Sequence, residues 1–192
     1  MATPIGHSLA GLAVYGLLSP RNSRIQLSLI LLCVFMANIP DFDFLPGILK
    51  GKPALYHQGI THSIGFALTV SLVATVVYRA ISKRWSFSSV FILCFFSYLS
   101  HLIIDFFSPD AERPPFGIPI FWPFSDDYFV SPVSVFLGVR HASATHASTV
   151  EWIRGIVDSH NLVAIALEVI LIIPLILFGR LYRKRTIASG SN

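Results

Sequence analysis

Seven histidine and aspartate residues stand at the ends of apolar segments, and both residue types bind transition metals. They are, in chain order, His7, Asp41, Asp43, His57, His62, His101 and Asp105. The first opens an apolar segment, the next two close the second segment, the next two open the third, and the last two close the fourth. If successive segments are antiparallel helices, this alternation gathers all seven side chains at one end of a bundle. Imidazoles and carboxylates gathered in this way predict a metal site.

His101 and Asp105 form the clearest pair. They are four residues apart within Ser-His-Leu-Ile-Ile-Asp, so a helix places them on the same face. An ionisable pair inside an apolar helix is costly and by default indicates a functional site. The two side chains could share one metal ion, or the carboxylate could bridge two ions. The alternative is a His–Asp hydrogen bond that only satisfies two buried polar groups.

Asp41 and Asp43 follow the point where the second helix is expected to break, at Ile39-Pro40. In an extended segment two residues separated by one point to the same side. One carboxylate would then be a metal ligand, and the other could bridge a second metal or act as a general base. The alternative is a turn that faces water, which the intervening Phe42 makes less favourable.

His57 and His62 precede the third segment, and His7 has a similar setting at the first. Thr61 or Ser63 could cap the helix that follows. The positive end of a helix also favours an anion such as phosphate. A single histidine at such a position is an ordinary polar residue, but the recurrence of the pattern in four segments favours a shared site.

The composition indicates a membrane protein of one domain, 1–192. Of its 192 residues 54% are hydrophobic and only 12% are charged, whereas soluble domains carry about 25% charged residues. The mean hydropathy is +0.68. Disorder is therefore excluded, and a soluble core is disfavoured. Cys33 and Cys94 lie within apolar runs, so they are expected to act as small apolar side chains.

The apolar segments predict an all-α, polytopic membrane bundle of about five helices with the metal site at one end. The predicted helices span residues 4–19, 24–39, 57–81, 87–107 and 160–182, with a long loop over 108–159. A membrane span needs about 20 residues, so the first two helices would be tilted, partly interfacial or buried beside the others. The loop is rich in proline and aromatic residues, which suits a position at the headgroup level.

The distribution of basic residues predicts the orientation. The turns opposite the predicted site hold nine basic residues and no acidic ones: Arg21, Arg24, Arg79, Lys83, Arg84, Arg180, Arg183, Lys184 and Arg185. The side richer in Lys and Arg near helix ends faces the cytoplasm. The metal site should therefore face the extracytoplasmic space, and the tail over 183–192 should be cytoplasmic. Membrane topology also accounts for the basic excess better than nucleic-acid binding does, so no nucleic-acid partner is expected.

Four further ionisable residues lie outside these motifs. His141, His146 and His160 lie in the polar part of the long loop, where they could add metal ligands or simply be solvated. Glu168 lies within the last predicted helix and needs a polar partner from a neighbouring helix.

The motifs resemble those of the YdjM-like family of inner-membrane metal-dependent hydrolases, some of whose members are described as LexA-binding. They are Gly-His7-Ser, Pro-Asp41-Phe-Asp43, His57-Gln-Gly-Ile-Thr-His62-Ser, Ser-His101-Leu-Ile-Ile-Asp105 and Trp122-Pro-Phe. The resemblance implies a distant similarity to zinc-dependent phospholipase C and zinc nucleases. It implies His7, Asp43, His62, His101 and Asp105 as metal ligands, with Asp41 and His57 as catalytic or orienting residues of the membrane family's own motif.

The expected function is that of a hydrolase in a prokaryotic inner membrane. It would cleave a phosphoester of a lipid or lipid-linked substrate with a metal-activated water, using one or two divalent ions, zinc or manganese. A trinuclear cluster is not expected, since the chain lacks the additional His-x-x-x-Glu pair of the wider group. The alternatives are a metal-dependent amidase or protease and a non-enzymatic protein, either a metal transporter or a membrane anchor that binds a regulator.

Overall fold

The computed structural model describes residues 1–19, 25–109, 114–141 and 149–189, with the backbone alone for 183–189. Its helices are α1 (Pro4–Leu18), α2 (Leu27–Asn38), α3 (Phe44–Leu49), α4 (Ile64–Ile81), α5 (Phe87–Phe106), α6 (Thr149–Arg154) and α7 (Ser159–Ser189). Within these described ranges the only β pairing is a single bridge between Ile118 and Phe129. The all-α class expected from the sequence is confirmed.

Four segments are long and apolar enough to cross a membrane: Leu27–Leu49, Ile64–Ile81, Phe87–Phe106 and Ser159–Tyr182. The first of them joins α2 and α3 into one apolar stretch. Helix α1 has 15 residues, a length of about 22 Å, which is shorter than the bilayer core of about 30 Å. These segments support the expectation of an integral membrane protein.

Helices α1 and α5 organise the bundle. Helix α1 packs against α2, α5 and α7, and α5 also packs against α2 and α4. The main core lies between these helices and includes Leu29, Met36, Leu93 and Tyr98. Because α1, α4 and α7 begin at the end of the bundle where α2 and α5 finish, residues near those five helix ends lie close together.

Two predicted boundaries differ from the structure around the polar motifs. Helix α2 ends at Asn38 and a 3-10 helix, Ile39–Asp43, leads directly into α3, where the sequence indicated a loop. Helix α4 begins at Ile64 instead of residue 57. Gln58 has a φ of 58°, which a right-handed helix does not accept. The Ser63 hydroxyl accepts the Phe66 N–H and so starts the helix seven residues later than predicted.

The long loop contributes to the start of α4. The carbonyl of Ile120 accepts the Ile64 N–H at 2.9 Å, and that of Trp122 accepts the Gly65 N–H at 3.2 Å. These bonds satisfy N–H groups that a helix start leaves without intrahelical partners. The remainder of the loop includes α6, which the sequence did not indicate. His146, Arg21, Arg24 and the side chains of Arg183, Lys184 and Arg185 lie outside the part of the chain that the structure describes.

The contact between α1 and α2 depends on Gly11. A Cβ atom at this position would lie 2.6 Å from the carbonyl oxygen of Cys33. Because that oxygen belongs to the backbone of α2, a side chain at this position would push the two helices apart. We expect Gly11→Ala to destabilise the protein by about 1–3 kcal/mol, the usual cost of overpacking. Thermal unfolding in detergent would measure this as a loss of several degrees.

Gly16→Ala in the same helix is the matched control. A Cβ atom there has its nearest neighbour at 4.0 Å, so only the gain in helix propensity, about 1 kcal/mol, should remain. Equal melting temperatures for the two variants would contradict the proposed role of the α1–α2 contact.

Candidate metal centre

The chain brings all seven predicted residues together at one end of the bundle. His7 lies in the second turn of α1, and Asp41 and Asp43 lie in the 3-10 helix after α2. His57 and His62 lie in the turns before α4. His101 and Asp105 occupy the last turns of α5. Every one of these side chains is within 4 Å of an oppositely chargeable partner in the group.

Four of these residues place one ligand atom each around a common point. The atoms are His62 Nε2, His101 Nε2, Asp41 Oδ1 and Asp105 Oδ2. The distances between them are 3.2 Å for the two nitrogens, 3.2 and 3.4 Å from Asp105, and 3.5 and 3.7 Å from Asp41. Ligand atoms about 2.0–2.1 Å from a tetrahedral ion stand about 3.3–3.4 Å apart. The set therefore has the size of a four-coordinate metal site.

The other ring nitrogens are held by hydrogen bonds that turn both lone pairs inwards. His101 Nδ1 is 2.8 Å from the carbonyl oxygen of Ala37, and since a carbonyl can only accept, this nitrogen carries the hydrogen. His62 Nδ1 has Thr61 Oγ1 at 3.0 Å and an Asp43 oxygen at 3.3 Å. Two unprotonated Nε2 atoms 3.2 Å apart would repel each other, so the pair needs either a proton on one of the two nitrogens or a metal cation between them.

Several buried polar atoms of the centre lack a hydrogen bond. Both oxygens of Asp41, Oδ2 of Asp105 and both ring nitrogens of His7 are buried without such a partner among the described residues. An unsatisfied buried polar group costs about 1–3 kcal/mol, and more when it is charged. A bound cation would satisfy these atoms, and the donor set of imidazole and carboxylate suits zinc or manganese.

Asp43 has a different environment from Asp41. Its Oδ1 lies 3.0 Å from His57 Nδ1, and its Oδ2 accepts the Gln58 N–H at 3.1 Å and the Thr61 hydroxyl at 2.8 Å. Asp43, His57 and His62 also form a second group that could hold an ion. However, this carboxylate is already satisfied by hydrogen bonds. Its surroundings resemble those of the carboxylates that orient metal-bound histidines from behind.

The charge balance of the centre shows in the titration of His62. Burial disfavours its imidazolium form, but the carboxylates of Asp105, Asp41 and Asp43 outweigh this and hold the pKa of His62 well above its usual value. In the metal-free protein a proton therefore resides on this ring at neutral pH. A metal ion at the same place would displace the proton and supply the positive charge that the carboxylates require.

Aromatic side chains cover the centre on the side of His57. The His57 ring stacks on Phe44 with centroids 3.8 Å apart, and Phe44 contacts Trp152 of α6 at 5.1 Å. His141 stacks on Trp152 at 4.0 Å. Burial, with the nearby His57, lowers the pKa of His141 to about 4, so this ring is neutral at physiological pH. Trp152 was not among the residues that the sequence indicated.

The segment before α1 ties the centre to α7. The Ala2 N–H donates to Asp105 Oδ1 at 2.8 Å, and the Thr3 N–H donates to Glu168 Oε1 at 2.8 Å. The Thr3 hydroxyl also donates to Glu168. Thr3 is thus the polar partner that the buried Glu168 needs. His160 lies apart from the centre, with its Nε2 hydrogen-bonded to the carbonyl of Gly138 at 3.1 Å.

One comparison with known proteins bears on this centre. The family model described as YdjM inner membrane protein matches residues 1–187, which include every helix carrying the clustered residues. The chain belongs to the YdjM family. No curated protein and no solved structure matches it. The resemblance of the motifs to this inner-membrane family is therefore confirmed, and membership supports placing this YdjM protein in a membrane.

Proposed function

We propose that this YdjM protein is a metal-dependent hydrolase that cleaves a phosphoester of a lipid or lipid-linked substrate. The observation that carries the proposal is the set of four ligand atoms on His62, His101, Asp41 and Asp105. The two histidine nitrogens lie 3.2 Å apart and 3.2–3.7 Å from the two carboxylate oxygens. A divalent ion bound there would supply Lewis acidity and lower the pKa of a bound water to about 7.

We assign Asp41 as the ligand and Asp43 as the orienting carboxylate, which reverses the roles implied by the resemblance. Among the described residues Asp41 has no hydrogen bond to either oxygen, whereas Asp43 accepts several. The Asp41 side chain is 13% exposed, in contrast to 0% for His62, His101 and Asp105. Substrate would therefore approach the ion from the side of Asp41.

His57 is the group that we assign as general base. Its Nδ1 lies 3.0 Å from Asp43, which orients the ring. Its Nε2 is buried without a hydrogen bond among the described residues, so this atom can take a proton. Its Nδ1, the nitrogen beside Asp43, also lies 3.9 Å from Asp41 Oδ1, so the ring borders the ligand set. His57 would accept a proton from water and return it to the leaving oxygen.

The surroundings of the centre support a lipid substrate. A pocket of about 380 Å³ opens beside Asp43 and is lined by Pro46, Tyr56, Gly59, Ile60 and Thr61. This volume falls within the range of ligand pockets. Exposed apolar side chains surround this end of the bundle: Phe42, Leu45, Leu49, Phe121 and Phe124. Such a surface suits contact with acyl chains, and the basic residues at the other end support an extracytoplasmic site.

Hydrolysis of phospholipid vesicles tests the proposal. Purified protein loaded with Zn²⁺ or Mn²⁺ would be incubated with phosphatidylethanolamine and phosphatidylglycerol vesicles and with bis(p-nitrophenyl) phosphate. We expect metal-dependent release of a phosphate-containing product or nitrophenol, and its loss in Asp105→Asn.

His160→Ala is the matched control, since it removes a histidine outside the centre. If metal-loaded protein releases no more product than Asp105→Asn from any of these phosphoesters, the phosphoesterase proposal is overturned. Cleavage of amide substrates alone would favour the amidase alternative.

A further inference from the structure

We propose that the centre holds a second divalent cation, bound by His7 and bridged to the first by the carboxylates of Asp41 and Asp105. This inference rests on the proposed function, because the first cation is the one assigned above. It adds a distinct position, with its own histidine, that the four-atom set does not include.

The imidazole rings of His7 and His101 stack on each other. Their ring centroids are 3.7 Å apart and their planes differ by 19°. A nitrogen lone pair lies in the plane of its ring, so two nearly parallel rings direct their Nε2 lone pairs within two nearly parallel planes. Two such rings cannot serve one ion in common. They suit two ions separated by about the distance between the rings, and ions in two-metal sites are about 3.5–4 Å apart.

The carboxylate of Asp105 faces both histidines. Its Oδ2 lies 3.2 Å from His101 Nε2, whereas its Oδ1 lies 3.4 Å from His7 Nε2. Each histidine therefore has its own oxygen of the same carboxylate. Oδ1 also accepts the Ala2 N–H at 2.8 Å, which leaves its second lone pair for a cation.

Asp41 repeats this arrangement. Its Oδ1 lies 3.5 Å from His101 Nε2, and its Oδ2 lies 3.9 Å from His7 Nε2. Two carboxylates thus present one oxygen each to the first ion and the other oxygen each to a position beside His7. Three protein atoms would hold the second ion, and Asp41, the partly exposed member of the three, marks the side on which substrate would approach.

The burial of His7 and its lack of hydrogen bonds among the described residues also indicate a metal ligand. The residue is 0% exposed, and neither ring nitrogen has a hydrogen bond among the described residues. The separation of 3.4 Å from Asp105 Oδ1 is longer than an ordinary hydrogen bond and equals the ligand–ligand distance around a tetrahedral metal ion. The separation of 3.9 Å from Asp41 Oδ2 is longer than that distance. A buried imidazole at this distance from Asp105 fits a metal ligand better than a residue that only caps a helix.

A second ion narrows the substrate class. Paired cations stabilise the attacking and leaving oxygens of an in-line displacement, which is the arrangement that phosphoester hydrolysis uses. A pair of ions therefore suits a phosphodiester or phosphomonoester as the substrate.

Metal stoichiometry and electron paramagnetic resonance of the full-length protein test the second position. After dialysis against Mn²⁺ we expect about two equivalents in the wild type and a broadened multiline spectrum from an exchange-coupled pair. His7→Gln should retain about one equivalent and show the six-line spectrum of an isolated ion. His160→Gln, the matched control, should behave as the wild type does.

The outcomes separate the two proposals. One equivalent in the wild type, unchanged in His7→Gln and with a six-line spectrum in both, would overturn the second position and leave the first intact. No bound ion in the wild type would overturn both. Zn²⁺ titration of the wild type by calorimetry gives an independent count, so misfolding of His7→Gln cannot conceal the result.

Discussion

Replacing His101 with alanine is expected to abolish stoichiometric metal binding. The Nε2 of this residue is the shared vertex of the ligand set, within 3.5 Å of one atom each of His62, Asp41 and Asp105. Binding of a structural zinc ion contributes about 10–16 kcal/mol over four ligands, so one ligand is worth roughly 2.5–4 kcal/mol, or about 10²–10³ in affinity. Elemental analysis of detergent-purified protein would measure the loss.

Asp105→Ala should give the same result, because its carboxylate contacts both His62 and His101. His160→Ala is the control for metal bound adventitiously by a histidine outside the centre, and it should keep the metal content of the wild type. Circular dichroism and size-exclusion chromatography would show that the variants keep their helices. Full metal content in both His101→Ala and Asp105→Ala would contradict the assignment of the centre and favour a buried polar network.

Replacing Asp43 with asparagine is expected to leave the metal in place but to reduce hydrolysis strongly. The carboxylate lies behind His62 and beside His57, with hydrogen bonds to the latter and to Thr61. Loss of such an orienting group typically costs about 10–100-fold in metal affinity or activity. General acid–base catalysis by His57 would lose a further part of its contribution of about 10²–10⁴-fold. We therefore expect at least about a hundredfold decrease in kcat at saturating metal.

Thr61→Val is the graded control, since it removes the hydrogen bonds of the Thr61 hydroxyl to Asp43 and His62 but keeps the carboxylate. Its effect on kcat should be smaller than that of Asp43→Asn. If Asp43→Asn loses its metal to the same extent as His101→Ala, then Asp43 is a direct ligand, as the family resemblance implied, and Asp41 is the orienting residue.

The position of the centre could be predicted from the sequence because it depends on a coarse property, the alternation of polar residues between the starts and ends of apolar segments. Antiparallel helices convert that alternation into proximity without any detail of packing. The proximity of His101 and Asp105 could also be predicted from the sequence, since helical periodicity alone places them on one face.

The distinction between Asp41 and Asp43 could not be predicted in this way. It depends on backbone groups and on a turn with a positive φ at Gln58, which together satisfy one carboxylate and leave the other without hydrogen bonds. The partner of Glu168 could not be predicted from the sequence either, because Thr3 precedes it by 165 residues. The position of Trp152 beside the centre could not be predicted because α6 has only six residues, which are too few for a periodic pattern.

The origin of the ligands in four separate segments has a consequence for how the cell would regulate this protein. The carbonyl of Ala37, at the end of α2, holds His101 of α5, so the ligand set also joins helices that are distant in the chain. An ion that binds only the folded state stabilises it by mass action. Metal starvation would then lower not just the activity but the amount of protein that survives proteolytic quality control. The abundance of the protein would follow the supply of the metal.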